Sequence, residues 1–142
     1  MFNKYLSLGV WRPERGQAMI FMGDCKKYSG QPKEAEQYYH MALMEDDTRR
    51  EPFFALGMLH AEQGNYRGAV IYLKAALEIP FNPNYYLNHM SLYTWEIHDQ
   101  LSLFYDKLGE KEKAKEQYFL TLQAAPEDAR ILSNARWFCR KD

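Results

Sequence analysis

Cysteine is scarce in this 142-residue chain: Cys25 and Cys139 stand near opposite ends, too few and too distant to form a disulfide framework or a zinc site. A reducing, cytoplasmic setting is the expectation. No sign of charge prevails either. The 18 basic and 19 acidic residues are scattered and leave a net charge of -1, which gives no electrostatic footprint for nucleic acid or anionic lipid. Long apolar runs are missing as well. The longest, "GAVIYLKAALEIPF", is interrupted by Lys74 and Glu78 and falls short of the ~20 residues that a spanning helix needs. The opening "MFNKYLSLGVWRP" lacks a small-residue cleavage signal, so a secretory peptide is not expected. These absences direct the reading toward a soluble protein with protein partners, with no membrane and no nucleic acid.

What the chain does have is self-similarity. At a shift of 34, Arg15 falls on Arg49, Gly23 on Gly57, Gly30 on Gly64, Ala35 on Ala69, Tyr38 on Tyr72, Ala42 on Ala76 and Leu43 on Leu77. A further shift of 45 places Leu56 on Leu101, Gly64 on Gly109, Ala69 on Ala114 and Leu77 on Leu122, which is the same period with eleven residues inserted. Three copies result, at 16–49, 50–83 and 95–128, with an insertion at 84–94. A period of 34 marks a helix-turn-helix unit that cannot cover its own apolar face and must stack on a neighbour. The expected fold is therefore all-α, an α-solenoid of three such units in a single domain.

The spacing within a copy agrees. Phe53, Leu56, Gly57 and His60 form one helical stripe, and Ala69, Leu73, Ala76 and Leu77 form the next. Gly57 and Ala69 remove bulk where two backbones should approach, whereas Gly30, Gly64 and Gly109 sit where a left-handed residue ends a helix at little cost. The tail "PEDARILSNARWFCRKD" starts with Pro126, Glu127 and Asp128 and ends with Arg140 and Lys141, as suits a capping helix over 126–140. Residues 1–15 are read as an N-terminal cap with a partial helix at 2–11. The insertion "NYYLNHMSLYT" follows Pro80 and Pro83 and is too apolar for a solvated loop. It should either plug a widened gap between copies two and three or form part of a partner-binding surface.

The units resemble the tetratricopeptide repeat. Its pattern is met in the third copy by His98, Leu101, Ser102, Tyr105, Ala114, Tyr118 and Pro126, in the second by Phe53, Leu56, Gly57, His60, Ala69 and Leu73, and more loosely in the first by Met19, Met22, Gly23, Lys26, Ala35 and Tyr39. In that family a second stripe of each first helix, turned away from its packing partner, lines a concave groove. The resemblance assigns to it Gln17, Phe21, Asp24 and Tyr28 from copy one, Phe54, Met58 and Glu62 from copy two, and Asp99, Leu103 and Asp106 from copy three. Such a groove is acidic with apolar patches. The family's clamp for a terminal carboxylate, built from Lys, Asn and Arg, is replaced by Ile20 with Asp24, Phe54 with Met58 and Asp99 with Leu103. A basic or amphipathic segment suits it better, because carboxylates repel a carboxylate and attract Lys or Arg. The occupant could be a separate protein or peptide, another domain of the same polypeptide, or a second copy in a homodimer.

A narrower resemblance is carried by "WRPERGQAMIFMGDC", "RREPFFALG", "KAALEIPFNPNYY", "LYTWEIHDQLSLFYDKLGEKEKA" and "APEDARILSNARWF". These phrases resemble the repeat region that follows the catalytic domain in many family 2 glycosyltransferases. The resemblance implies a parent enzyme that transfers sugar from a nucleotide donor in a separate α/β domain with an Asp-x-Asp metal site. No Asp-x-Asp triplet occurs here, "EDD" at 45–47 falls in a join between copies, and no glycine-rich loop follows a strand. His60 and His98 take places of packing aromatics, and consecutive helical residues such as His98 and Asp99 point about 100° apart, which excludes a dyad. Cys139, beside Trp137 and Phe138, reads as a buried thiol. The expectation is a non-catalytic interaction module without metal or cofactor; a free-standing adaptor, or an enzyme that uses this region for its acceptor, stays open.

Overall fold

Three turns with the same hydrogen bonds set the architecture. Gly30, Gly64 and Gly109 have φ of 76°, 81° and 80°, and they are the residues with positive φ among those described. In each turn the glycine N–H reaches back three residues and the following N–H reaches back five, as in Gln31 N to Lys26 O, Asn65 N to His60 O and Glu110 N to Tyr105 O at 2.8–2.9 Å. This Schellman arrangement satisfies the last carbonyls of one helix while the left-handed residue reverses the chain. The next helix starts at once. Pro32 stands in the first turn after the first reversal, and Asn65 caps after the second, its side chain accepting from Gly68 N at 3.0 Å.

The computed structural model describes residues 12–83 and 89–124. Six α-helices lie among them: α1 (Arg12–Tyr28), α2 (Pro32–Glu45), α3 (Glu51–Glu62), α4 (Tyr66–Leu77), α5 (Glu96–Lys107) and α6 (Lys111–Ala124), with a 3-10 turn at Met90–Tyr93 before α5. No strand occurs among the described residues. The helices pair as α1 with α2, α3 with α4 and α5 with α6, and the pairs stack in chain order through α2 on α3 and α4 on α5, with α1 also touching α3. The fold is an α-solenoid of helix-turn-helix units. The N-terminal partial helix at 2–11 and the capping helix at 126–140, with Cys139, fall outside the described residues, as do positions 84–88 of the insertion.

Close approach within a pair follows from the small residues. A Cβ built on Gly57 would lie 3.1 Å from Leu73 Cδ2 and 3.3 Å from Ala69 O, and one on Gly23 would lie 2.5 Å from Tyr39 Cε1. Ala69, Leu73, Tyr39 and Ala35 are fully buried behind them. Two apolar clusters result. Met19, Ile20, Ala35, Tyr39, Ala42, Leu56 and Leu59 join the first two pairs. Ala69, Leu73, Ala76, Leu92, Ile97, Leu101, Phe104, Ala114 and Tyr118 join the second and third. Leu92 is thus the insertion's contribution to the core: the 3-10 turn packs inward against both pairs.

The candidate concave pocket

The first helices of the first two pairs present parallel rows to one side. On α3 the row is Glu51, Phe54, Met58 and Glu62; on α1 it is Gln17, Ile20, Asp24 and Tyr28, each standing 34 positions earlier. Spacings of three and four keep such residues on one helical face. Together with Lys27, Tyr39, Ala55, His89, Leu92 and Glu96 they line a pocket of about 640 Å³. Its centre is apolar, through Ile20, Phe54, Met58 and Leu92. Four carboxylates, Asp24, Glu51, Glu62 and Glu96, stand around it against one ammonium, Lys27.

Each carboxylate is held. Tyr39, fully buried, donates its hydroxyl to Asp24 Oδ1. Burial raises the Tyr39 pKa well above the usual phenol range, and the Asp24 carboxylate raises it further. Lys27 Nζ lies 3.4 Å from Glu62 Oε1 and ties α1 to α3. Glu51 accepts from His89 N at 2.7 Å and from the Tyr93 hydroxyl at 3.1 Å. Arg49, 1 % exposed, stands behind it with Nη2 3.7 Å from Glu51 and 3.2 Å from Gln17 Oε1. Glu96 accepts from the Ser91 hydroxyl, with His89 Nε2 at 3.8 Å.

The strap that brings residues 89–93 to this place is centred on Arg50. Its guanidinium donates to Ile79 O at 2.7 Å, Leu92 O at 2.8 Å and Leu77 O at 3.3 Å, and lies 4.8 Å from the Tyr93 ring centre. One planar fork thereby caps the end of α4 and holds the 3-10 turn. Arg50 N donates to the Tyr93 hydroxyl at 3.0 Å.

Of the groove residues expected from sequence, Gln17, Asp24, Tyr28, Phe54, Met58 and Glu62 come together in the pocket. Phe21 is 51 % exposed but does not line it. In the third copy Asp99 needs correction, since it is fully buried. Leu103 is half-buried and Asp106 pairs with Lys111 at 3.2 Å, and neither lines this pocket. Of α5 only Glu96 lines this pocket, beside His89 and Leu92 of the insertion. Sequence reading also stopped one turn short: extending the α3 row by three residues reaches Glu51, and adding 45 reaches Glu96. Lys27 had no signal in the repeat pattern, whereas Arg49 recurs there with Arg15, though its contacts to Glu51 and Gln17 do not follow from the period.

His60 and His98 lie between helices. His60 stacks on Tyr72, ring centres 5.2 Å apart, with Nε2 3.4 Å from Glu36, and His98 Nδ1 lies 2.7 Å from Gln117 Oε1. Among the described residues no three His, Cys, Asp or Glu side chains cluster as metal ligands would, and no helix is long and apolar enough to cross a membrane.

The family model described as Tetratricopeptide repeat matches residues 51–83 and 96–127, which hold α3 with α4 and α5 with α6. Those two helix pairs match the tetratricopeptide repeat. Solved structures share the fold of this repeat array. MamA superposes with a TM-score of 0.67 at 23 % identity, over 92 % of this chain and 68 % of MamA. The first repeat domain of Spaghetti (RPAP3), bound to the HSP90 peptide SRMEEVD, gives 0.73 at 14 % identity, over 90 % of this chain and 95 % of that one. The type III secretion chaperone SycD of Yersinia enterocolitica, in complex with a peptide of the translocator YopD, gives 0.67 at 13 % identity, over 87 % and 86 %. No curated protein matches the sequence.

Proposed function

We propose that this repeat array is a protein-interaction module of the cytoplasm, working by binding rather than catalysis, and that its concave pocket takes a basic, amphipathic segment of a protein partner. The observation that carries this reading is the pairing of an apolar centre with four carboxylates and one ammonium on the same lining. Apolar side chains on the occupant would fill the centre, and Lys or Arg would meet Asp24, Glu62 and Glu96. Two proteins of the same fold hold peptides in their solved structures, which supports a peptide as occupant.

The sequence phrases shared with family 2 glycosyltransferases suggest a setting for the module: an accessory region of such an enzyme, whose partner segment belongs to the same polypeptide or to a protein acceptor. A free-standing adaptor is the other setting, and an immunoblot of the native gene product against the size of this chain separates the two. The binding reading itself is tested with two fluorescein-labelled peptides of the same apolar pattern, one Lys/Leu and one Glu/Leu, titrated with the protein and followed by anisotropy. The Lys/Leu peptide is expected to bind, more weakly as salt rises, and the Glu/Leu peptide is not. Equal binding of both, or of neither, refutes the proposal.

A further inference from the structure

The groove of a repeat array normally runs from one unit to the next, because each first helix contributes an equivalent row. Here the rows can be set in register. Gln17 and Glu51 correspond to Glu96, Ile20 and Phe54 to Asp99, Asp24 and Met58 to Leu103, and Tyr28 and Glu62 to Lys107. The first two rows line the pocket throughout, whereas the third contributes Glu96 alone. Asp99 is fully buried, and Leu103 does not line the pocket. Beside Glu96, His89 and Leu92 stand at the same end of the pocket.

That wall is built, not draped. Glu51 Oε2 accepts from His89 N at 2.7 Å, Arg50 Nη1 donates to Leu92 O at 2.8 Å, and Leu92 is 1 % exposed. We infer that the segment 89–93 closes the groove at the boundary between the second and third repeats, so that the pocket takes only a short cationic peptide segment and the third repeat touches the occupant through Glu96 alone. The inference rests on the binding reading above and adds to it a length limit and a boundary.

The limit is a number. Packed helices lie about 8–10 Å apart, so two first helices and their flanks give about 20 Å of groove. At about 3.3 Å per extended residue that holds about six residues, and an open third row would hold about three more.

The test uses the Lys/Leu probe in a series from about four to about twelve residues, the range that brackets both lengths. Affinity is expected to climb until about six residues and then level; a climb that continues to about nine overturns the inference. Two charge reversals in equivalent register places provide the second arm. Glu62→Lys, at an exposed position, should lower affinity at least about tenfold, and Lys107→Glu should leave it within about twofold. If Lys107→Glu tightens binding as much as Glu62→Lys weakens it, the third row is part of the groove and the closure is wrong. Circular dichroism of both variants confirms that they fold. Failure of every probe to bind the wild-type protein removes the binding reading and the closure with it, whereas binding without a length limit removes the closure alone.

Discussion

Gly23 and Gly57 take the same place in successive repeats, yet they face different neighbours. A Cβ on Gly23 would fall 2.5 and 2.7 Å from two ring carbons of Tyr39, which is fully buried and anchored through its hydroxyl to Asp24. One on Gly57 would meet the branched end of Leu73 at 3.1 Å and Ala69 O at 3.3 Å, a tight fit that stops short of the overlap at Gly23. Alanine gains about 1 kcal/mol over glycine inside a helix, and overpacking against a fixed ring costs about 1–3 kcal/mol. Gly23→Ala should therefore destabilise by about 1–2 kcal/mol and lower Tm by about 2–8 °C, while Gly57→Ala stays within about 1 kcal/mol of wild type. Thermal unfolding followed by circular dichroism reads both, and equal shifts would contradict the packing argument. The glycines were legible because they recur at a fixed shift. What each one faces was not, since a repeat pattern reports which positions are small and says nothing of the ring or chain across the gap. Asp99 shows the same limit: a carboxylate in a groove stripe reads as solvent-facing by default, and its burial depends on tertiary neighbours.

The insertion shows what an element adds to a repeat. Its apolar residues announced packing in the sequence, and Leu92 does pack; its conformation and its tether to the start of α3 could not be read, because Arg50, Glu51 and Tyr93 meet across about forty positions with no periodic signal. That tether has two measurable consequences. Arg50→Met removes donors from the Leu77, Ile79 and Leu92 carbonyls at once, and losing charge-assisted bonds of this kind should cost about 2–3 kcal/mol. Arg50→Lys should recover little of it, since one ammonium cannot reproduce the fork. Urea unfolding midpoints decide, and full recovery by lysine would show that charge alone matters. The second consequence is a pH dependence. Burial pushes the Tyr93 phenol up to about 12; the neighbouring Glu51 carboxylate adds to this, and the Arg50 backbone N–H opposes it. A phenol raised in the folded state contributes stability that is complete below its unfolded value of about 10 and is lost as pH climbs through the folded value. Wild-type stability should therefore fall between about pH 10 and pH 12, and Tyr93→Phe should make that fall shallower while lowering stability near neutrality by about 1–2 kcal/mol for its lost hydrogen bonds. An unchanged alkaline slope in Tyr93→Phe would assign the dependence elsewhere, with Tyr39 the next group to test.

At the scale of the whole molecule, contacts run mainly between sequence neighbours, and the core divides into two clusters that meet at the second pair of helices. This much followed from the period alone: units that cannot bury their own faces must lean on the next, and the order of stacking is then the order of the chain. Stability in such a stack is a sum over units and their interfaces, and damage stays local. Leu101 is fully buried in the second cluster, so Leu101→Ala should cost about 2–5 kcal/mol through lost burial and the cavity left behind. The site of that loss is the sharper prediction. Hydrogen–deuterium exchange read by mass spectrometry should accelerate first in peptides covering α5 and α6, less in α3 and α4, and least in α1 and α2, where Met19 and Tyr39 keep their own cluster with Leu56 and Leu59 of α3. Leu56→Ala should reverse that gradient. Because the pocket is lined chiefly by α1 and α3, the Leu101 variant should also retain most of its affinity for the Lys/Leu probe while the Leu56 variant loses it. Uniform acceleration across all six helices in both variants would instead mean one cooperative unit, in which the third repeat and the pocket rise and fall together.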